Sequence, residues 1–214
     1  MDEEIAIIDT NARNERIKNF FINNTKKLII TVSIISVIII GYLSFENSKE
    51  KNKIKLTNQY NLALIDLNPE NKQKTIDEMV NVVKSNDETY SPLALYHLLD
   101  NNLLENNDEI NILFNELIEK TNLDNEIKNL IIYKKALFNS EFVSENELLK
   151  ILNPVINSES IWRSHALYLL AEFFYSKKEK QKAKEFFNQI LLLPNANNEI
   201  KLASQKRLNR DLSE

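Results

Sequence analysis

Residues 28–45 read LIITVSIISVIIIGYLSF, an uncharged run of 18 in which 12 are Leu, Ile, Val or Phe. At about 1.5 Å of helical rise per residue the run covers roughly 27 Å, close to the hydrocarbon thickness of a bilayer. Each large aliphatic side chain favours insertion by roughly 0.3–0.6 kcal/mol near the centre, several kcal/mol in sum. The polar members Thr31, Ser33, Ser36 and Ser44 can bond back to carbonyls of their own helix. Lys26 and Lys27 abut the apolar run, Leu28 opens it, and Tyr42 and Phe45 fall where an interfacial aromatic belt belongs. The segment predicts one uncleaved transmembrane helix over 28–45. A cleaved secretion signal and a buried core helix are the competing readings. Against the first stand 27 preceding residues of mixed charge and no small-residue cleavage site after Phe45. Against the second stand length and apolarity.

Charge flanking the span is nearly balanced. The first 27 residues hold five Lys/Arg, and the 20 residues after the span hold four. The Lys26-Lys27 pair favours an inside N-terminus, while long domains translocate despite their charge, so composition leaves both orientations open.

Few chemistries fit the composition. With 43% hydrophobic residues, 27% charged residues and a net charge of −4, the 214 residues suit one globular domain plus an appendage. The absence of cysteine removes disulfides, thiol nucleophiles and cysteine zinc sites. One glycine removes phosphate-cradling loops and disfavours an all-β fold with its many tight turns. His97 and His165 lie far apart, outside any ligand-spaced cluster. Carboxylate pairs such as Asp87-Glu88 and Asp108-Glu109 sit at helix starts, where a solvated cap suits them better than acid–base work. No metal, cofactor, catalytic group, nucleic acid or small-molecule substrate is expected.

Residues 46–214 repeat apolar positions at intervals of three and four. Helices are predicted over 53–67, 74–84, 92–104, 108–120, 124–139, 145–152, 159–176, 179–192 and 198–212. Residues 46–55 are expected to continue the membrane helix or act as a spacer. Pro69, Pro92, Pro154 and Pro194 fall at predicted boundaries, Asn68-Pro69 as a stop, and Ser144 with Glu147 forms a capping box. Abundant asparagine reads as composition bias. Helices starting near 92, 124 and 159 open units 32–35 residues apart, a period that suits tetratricopeptide repeats. In the last unit Leu167, Leu170, Ala171 and Phe174 take first-helix positions, and Ala183, Phe187 and Pro194 take second-helix positions and the terminator. Small Ala171 and Ala183 admit close backbones, and Phe174 and Phe187 are expected between neighbouring pairs. The usual turn glycine is replaced by Lys177-Lys178. Earlier units are degenerate: Ala136 and Leu148 keep the twelve-residue spacing, and Leu99 and Asn111 keep it poorly. The fold class is all-α, a transmembrane helix followed by an α-solenoid of tetratricopeptide-like pairs over 46–214.

With these pieces placed, the chain resembles the bacterial ancillary SecYEG translocon subunit family. The resemblance rests on Ile17-Lys18-Asn19-Phe20-Phe21, Asn24, Lys26 and Lys27 before the span, Gly41-Tyr42 near its end, and the stretch from Tyr168 to Pro194 with a final helix behind it. It implies a tail over 1–27 in the cytoplasm, an inner-membrane anchor and a periplasmic repeat domain. The implied role is an ancillary chaperone or scaffold, with the Sec translocon, periplasmic folding factors and exported chains as partners. A scaffold for cell division or envelope assembly and a cytoplasm-facing repeat adaptor stay open.

Two surfaces stand out. His165, Tyr168, Glu172 and Tyr175, spaced by three, four and three, share one stripe of their helix. In a repeat aligned on Ala171 that stripe lines the concave groove, where amphipathic aromatics and an acid suit a polypeptide. The competing reading is a groove closed by neighbouring helices. Charge is also asymmetric, with −8 over 46–159 and +4 over 160–214. The lysines at 177, 178, 180, 182 and 184 form a solvated surface or a docking patch for an acidic partner or lipid headgroups.

Overall fold

The computed structural model describes the backbone of residues 2–68 and 70–212, with side chains over the same residues except 2–12, Ile17 and Leu28. The expected stop at Pro69, and the side chains of Leu28 and Ile17, lie outside the described residues. The protein is all-helical, with no strand among the described residues. The helices are α1 (Asp2–Ile65), α2 (Lys72–Lys84), α3 (Tyr90–Asp100), α4 (Asn107–Lys120), α5 (Asn125–Asn139), α6 (Glu145–Ile156), α7 (Arg163–Ser176), α8 (Lys180–Leu192) and α9 (Asn198–Asp211). The chain divides into two compact units, Met1–Lys55 and Leu56–Glu214.

The first unit is helical through the apolar run, which is long and apolar enough to cross a membrane and, among the described residues, has none of its side chains buried. Tyr42 and Phe45 are exposed, as are Lys26 and Lys27. Thr31 donates to the Lys27 carbonyl and Ser36 to that of Val32, each at 2.9 Å, so these hydroxyls are satisfied without a partner helix. Residues 46–55 continue the helix, and the helix expected over 53–67 is the end of α1 rather than a separate element.

In the second unit each helix from α2 to α9 packs on its neighbours in sequence, most extensively α7 on α8, then α2 on α3 and α5 on α6. Alternate helices also touch: α2 with α4, α5 with α7, and α7 with α9. The apolar interior forms two clusters. One joins Met79, Val82, Leu95, Leu98, Leu113, Phe114 and Ile131; the other joins Leu148, Leu152, Leu170, Phe174 and Phe187. Consecutive residues of α5 divide between them, Ile131 with the first and Ile132 with the second.

Pairing frames differ between the halves. Pairs opening at α5 and α7 follow the expected register, but α3 packs more closely on α2 before it than on α4 after it. Buried Ile76, Met79, Val82 and Val83 of α2 share a cluster with Ala94, Leu95 and Leu98 of α3, and the buried Ser91 hydroxyl donates to the Val82 carbonyl at 2.8 Å. Pro154 was expected at a boundary but lies inside α6. Its missing N–H falls in the last turn, where it frees one carbonyl, that of Lys150, and Val155 beyond it is fully buried.

Caps explain the remaining boundaries. Asn106, Asp124, Ser144 and Asn197 each accept backbone N–H bonds at the starts of α4, α5, α6 and α9. Asn102 and Lys178 follow α3 and α7 with φ of 48° and 65°. Behind them Leu103 N donates to the Leu98 carbonyl and Glu179 N to that of Phe174, both at 2.9 Å, the bonding of a Schellman stop.

Candidate functional site

Buried Ala166, Leu167, Leu170, Ala171, Phe173 and Phe174 fix which side of α7 faces the core. Ala183 and Phe187 of α8 are buried in the same cluster, so all six residues expected to pack the last repeat are interior. The ring contacts of the two phenylalanines run within the pair. Phe174 stacks on Phe186 at 5.5 Å, and Phe187 meets Tyr168 edge-on at 5.6 Å.

His165, Tyr168, Glu172 and Tyr175 are all half-buried on the other side of α7. The C-terminal half of this stripe carries a side chain from α9. Arg207 donates through Nε to Glu172 Oε1 at 2.7 Å and through Nη2 to Oε2 at 2.6 Å. Its Nη1 donates to Asp211 Oδ2 at 2.8 Å, and its guanidinium carbon stands 4.9 Å from the centre of the Tyr175 ring. Glu172, and then Asp211, raise the Arg207 pKa above its ordinary value. Arg210, and then Arg207, hold the Asp211 carboxyl well below the usual range. Burial, and then Glu172, push the Tyr168 hydroxyl up.

The N-terminal half of the stripe meets α5. Tyr133 of α5 stacks on Trp162 at 6.0 Å, and His165 packs against Trp162 at 5.1 Å and Tyr133 at 5.9 Å. One residue further along α5, Lys134 Nζ lies 3.9 Å from the centre of the Tyr96 ring of α3. Ring and cation contacts thus link α3 to α5, α5 to α7, and α7 to α9. Trp162, Tyr133 and Arg207 are members that sequence reasoning missed. The Arg207–Asp211 spacing of four, in the last turn of a polar helix, was the available signal for the last.

Some polar atoms along these helices are buried without a partner: Tyr96 Oη, His97 Nε2, Arg163 Nε and His165 Nδ1. Burial pushes the Tyr96 hydroxyl up to about 12, and burial lowers the His97 pKa against the pull of Asp100. Among the described residues no three His, Asp or Glu converge to hold a metal. A cavity of about 250 Å³ at the start of α7 is lined by Glu159, Ser160, Arg163, Ser164, Leu193, Pro194 and Asn195.

Lysines after α7 are mixed in role. Lys182 pairs with Glu145 at 2.6 Å and Glu179 at 2.8 Å, tying α8 to α6. Lys177 lies 5.4 Å from the Phe173 ring centre, and Lys178 and Lys180 are exposed. The chain matches no family model, no curated protein and no solved structure among those compared.

Proposed function

We propose that this chain is a membrane-anchored protein–protein interaction module, an ancillary chaperone or scaffold at the Sec translocon that assists exported proteins. On this reading residues 1–27 lie in the cytoplasm, and the helical domain is a tetratricopeptide-like solenoid in the periplasm of a bacterium with an inner membrane. The observation that carries it is the α7 face. Half-buried Tyr168 and Tyr175 flank an acid on a helix whose opposite side is wholly committed to the core. Amphipathic aromatics of this kind bind polypeptide because they combine apolar area with hydrogen-bonding tips. The exposed apolar run supports the anchor, since side chains such as Val37 at 69% exposure and Ile40 at 63% have no protein cover. Sequential pairing of α5 with α6 and α7 with α8, with contacts between alternate helices, supports the solenoid. Partners are the translocon, exported chains and periplasmic folding factors; catalysis, a cofactor and nucleic acid have no part in this reading.

A reporter active only outside the cytoplasm, fused at the C-terminus, tests the placement against one active only inside. An outside signal, with translocon subunits copurifying from membranes, is the expected result. An inside signal would overturn the secretion role.

A further inference from the structure

We propose that the Tyr168–Glu172–Tyr175 face of α7 is an arginine-recognition site that α9 fills in cis with Arg207, and that the partner segment it admits presents a guanidinium. The inference rests on the polypeptide-binding reading of this face and adds the chemistry of the occupant.

The groups around Arg207 suit a guanidinium and not an ammonium. Both oxygens of Glu172 accept from two different nitrogens of one fork, at 2.7 and 2.6 Å. The plane of the group is offered to Tyr175, 4.9 Å away, and the remaining edge goes to Asp211 at 2.8 Å. A lysine has one compact charge, cannot span a carboxylate in parallel and has no planar face to stack. Ion pair and ring contact are partly withdrawn from water, with Arg207 and Glu172 each 27% exposed, so they outweigh a surface pair.

The helix that delivers Arg207 is lightly held. Only Ser204 is buried among the residues of α9, against seven in α7. Ile200 and Leu208 contribute half-buried contacts to the C-terminal cluster, and Leu212, immediately past the helix, is the one apolar side chain at this end that is buried in it. Local opening is drawn from elements that bury little apolar surface, and α9 is such an element. When α9 lifts, Asp211 leaves with it and Glu172 is left between two tyrosines without its cation; an arginine from a partner restores the two Glu172 bonds and the Tyr175 contact. Arg207 therefore acts as a competitor built into the chain, and binding of a partner is coupled to release of α9.

The test uses the full chain in detergent, with N-acetyl-arginine amide as probe and N-acetyl-lysine amide as control. Saturable binding and hydrogen exchange of α9 are measured for wild type, Arg207→Ala, Arg207→Lys and Arg207→Ala/Glu172→Gln. The expected result is arginine-probe binding at least about tenfold tighter in Arg207→Ala than in wild type, lost again with Glu172→Gln, and no saturable lysine-probe binding. In wild type the arginine probe should speed exchange of α9 and the lysine probe should not. Equal binding of both probes, no binding to Arg207→Ala, or indifference to Glu172→Gln would overturn it. Should Arg207→Ala unfold, Arg207→Lys keeps a cation and must still bind the arginine probe more tightly than wild type does; failure there also overturns it. Failure with Tyr168 still crosslinking to exported chains removes the arginine preference alone, whereas loss of both removes the binding face itself.

Discussion

Lys178 sits with φ at 65°, a conformation that costs a side-chain-bearing residue about 1 kcal/mol and glycine nearly nothing. Lys178→Gly is therefore expected to stabilise the domain by up to about 1 kcal/mol, less the extra freedom glycine gives the unfolded chain. A higher urea midpoint with unchanged slope would show it. The position was legible beforehand, because a glycine usually stands in this turn and the lysine pair stood in its place. Asparagines were not legible. Asn111 and Asn139 exchange amide bonds at 2.9 and 2.8 Å between α4 and α5, and Asn139 is 3% exposed. In a chain rich in asparagine nothing marks these two, since the bond depends on a residue 28 positions away. Asn139→Ala should cost about 1–3 kcal/mol by leaving the Asn111 amide unpaired, and Asn111→Leu/Asn139→Leu should cost less than the two single changes summed. Thermal unfolding of Asn139→Ala, the two single leucine variants and their double checks both. At Asp211 the sign of the pH effect follows from a folded pKa held below the ordinary carboxylate value. Its contribution is fully present above that ordinary value of about 3.9 and is lost as pH falls through the lower folded one. Hydrogen exchange of α9 should therefore be slow at mildly acidic pH and accelerate only in strong acid.

Helix α6 shows how a boundary rule is overridden. Pro154 would end a helix whose last turn must bond backward, but one carbonyl is all it frees, and the burial of Val155 outweighs it. Helix α9 shows the opposite limit, a helix begun by its Asn197 cap and tied to α7 by charges, with only Ile200, Leu208 and the following Leu212 reaching the C-terminal cluster. Its existence was legible from the spacing of its apolar positions; its seat on α7 was not, because the bidentate pair joins residues 35 apart. Substituting Glu172 with Gln in the wild-type background removes one charge and half of the fork's acceptors. It should raise hydrogen exchange across α9 by about tenfold or more while α7 and α8 stay protected. Uniform acceleration through α7, α8 and α9 would mean the pair supports the whole repeat.

Two compact units make up the molecule, one with an exposed apolar helix and one with a buried core. The apolar run and the helical periodicity were both legible because each depends on neighbouring residues alone, through length in one case and intervals of three and four in the other. The pairing frame of α2, α3 and α4 was not, since it depends on which apolar faces meet. Joined through consecutive isoleucines of α5, the two clusters should unfold together. Phe114→Ala and Phe174→Ala, one from each cluster and both essentially inaccessible, should each cost about 3–5 kcal/mol and lower one shared transition. Two separate transitions in a fragment of residues 56–214 would contradict this. The most direct test of the binding role places a photocrosslinking amino acid at Tyr168, and separately at Tyr175, in the full chain in membranes that carry an exported chain stalled in the translocon. Adducts with the stalled chain from both positions, and none from the core-facing position Leu170, are the predicted result. Adducts absent from Tyr168 and Tyr175 but present elsewhere on the domain would contradict the assignment of this face.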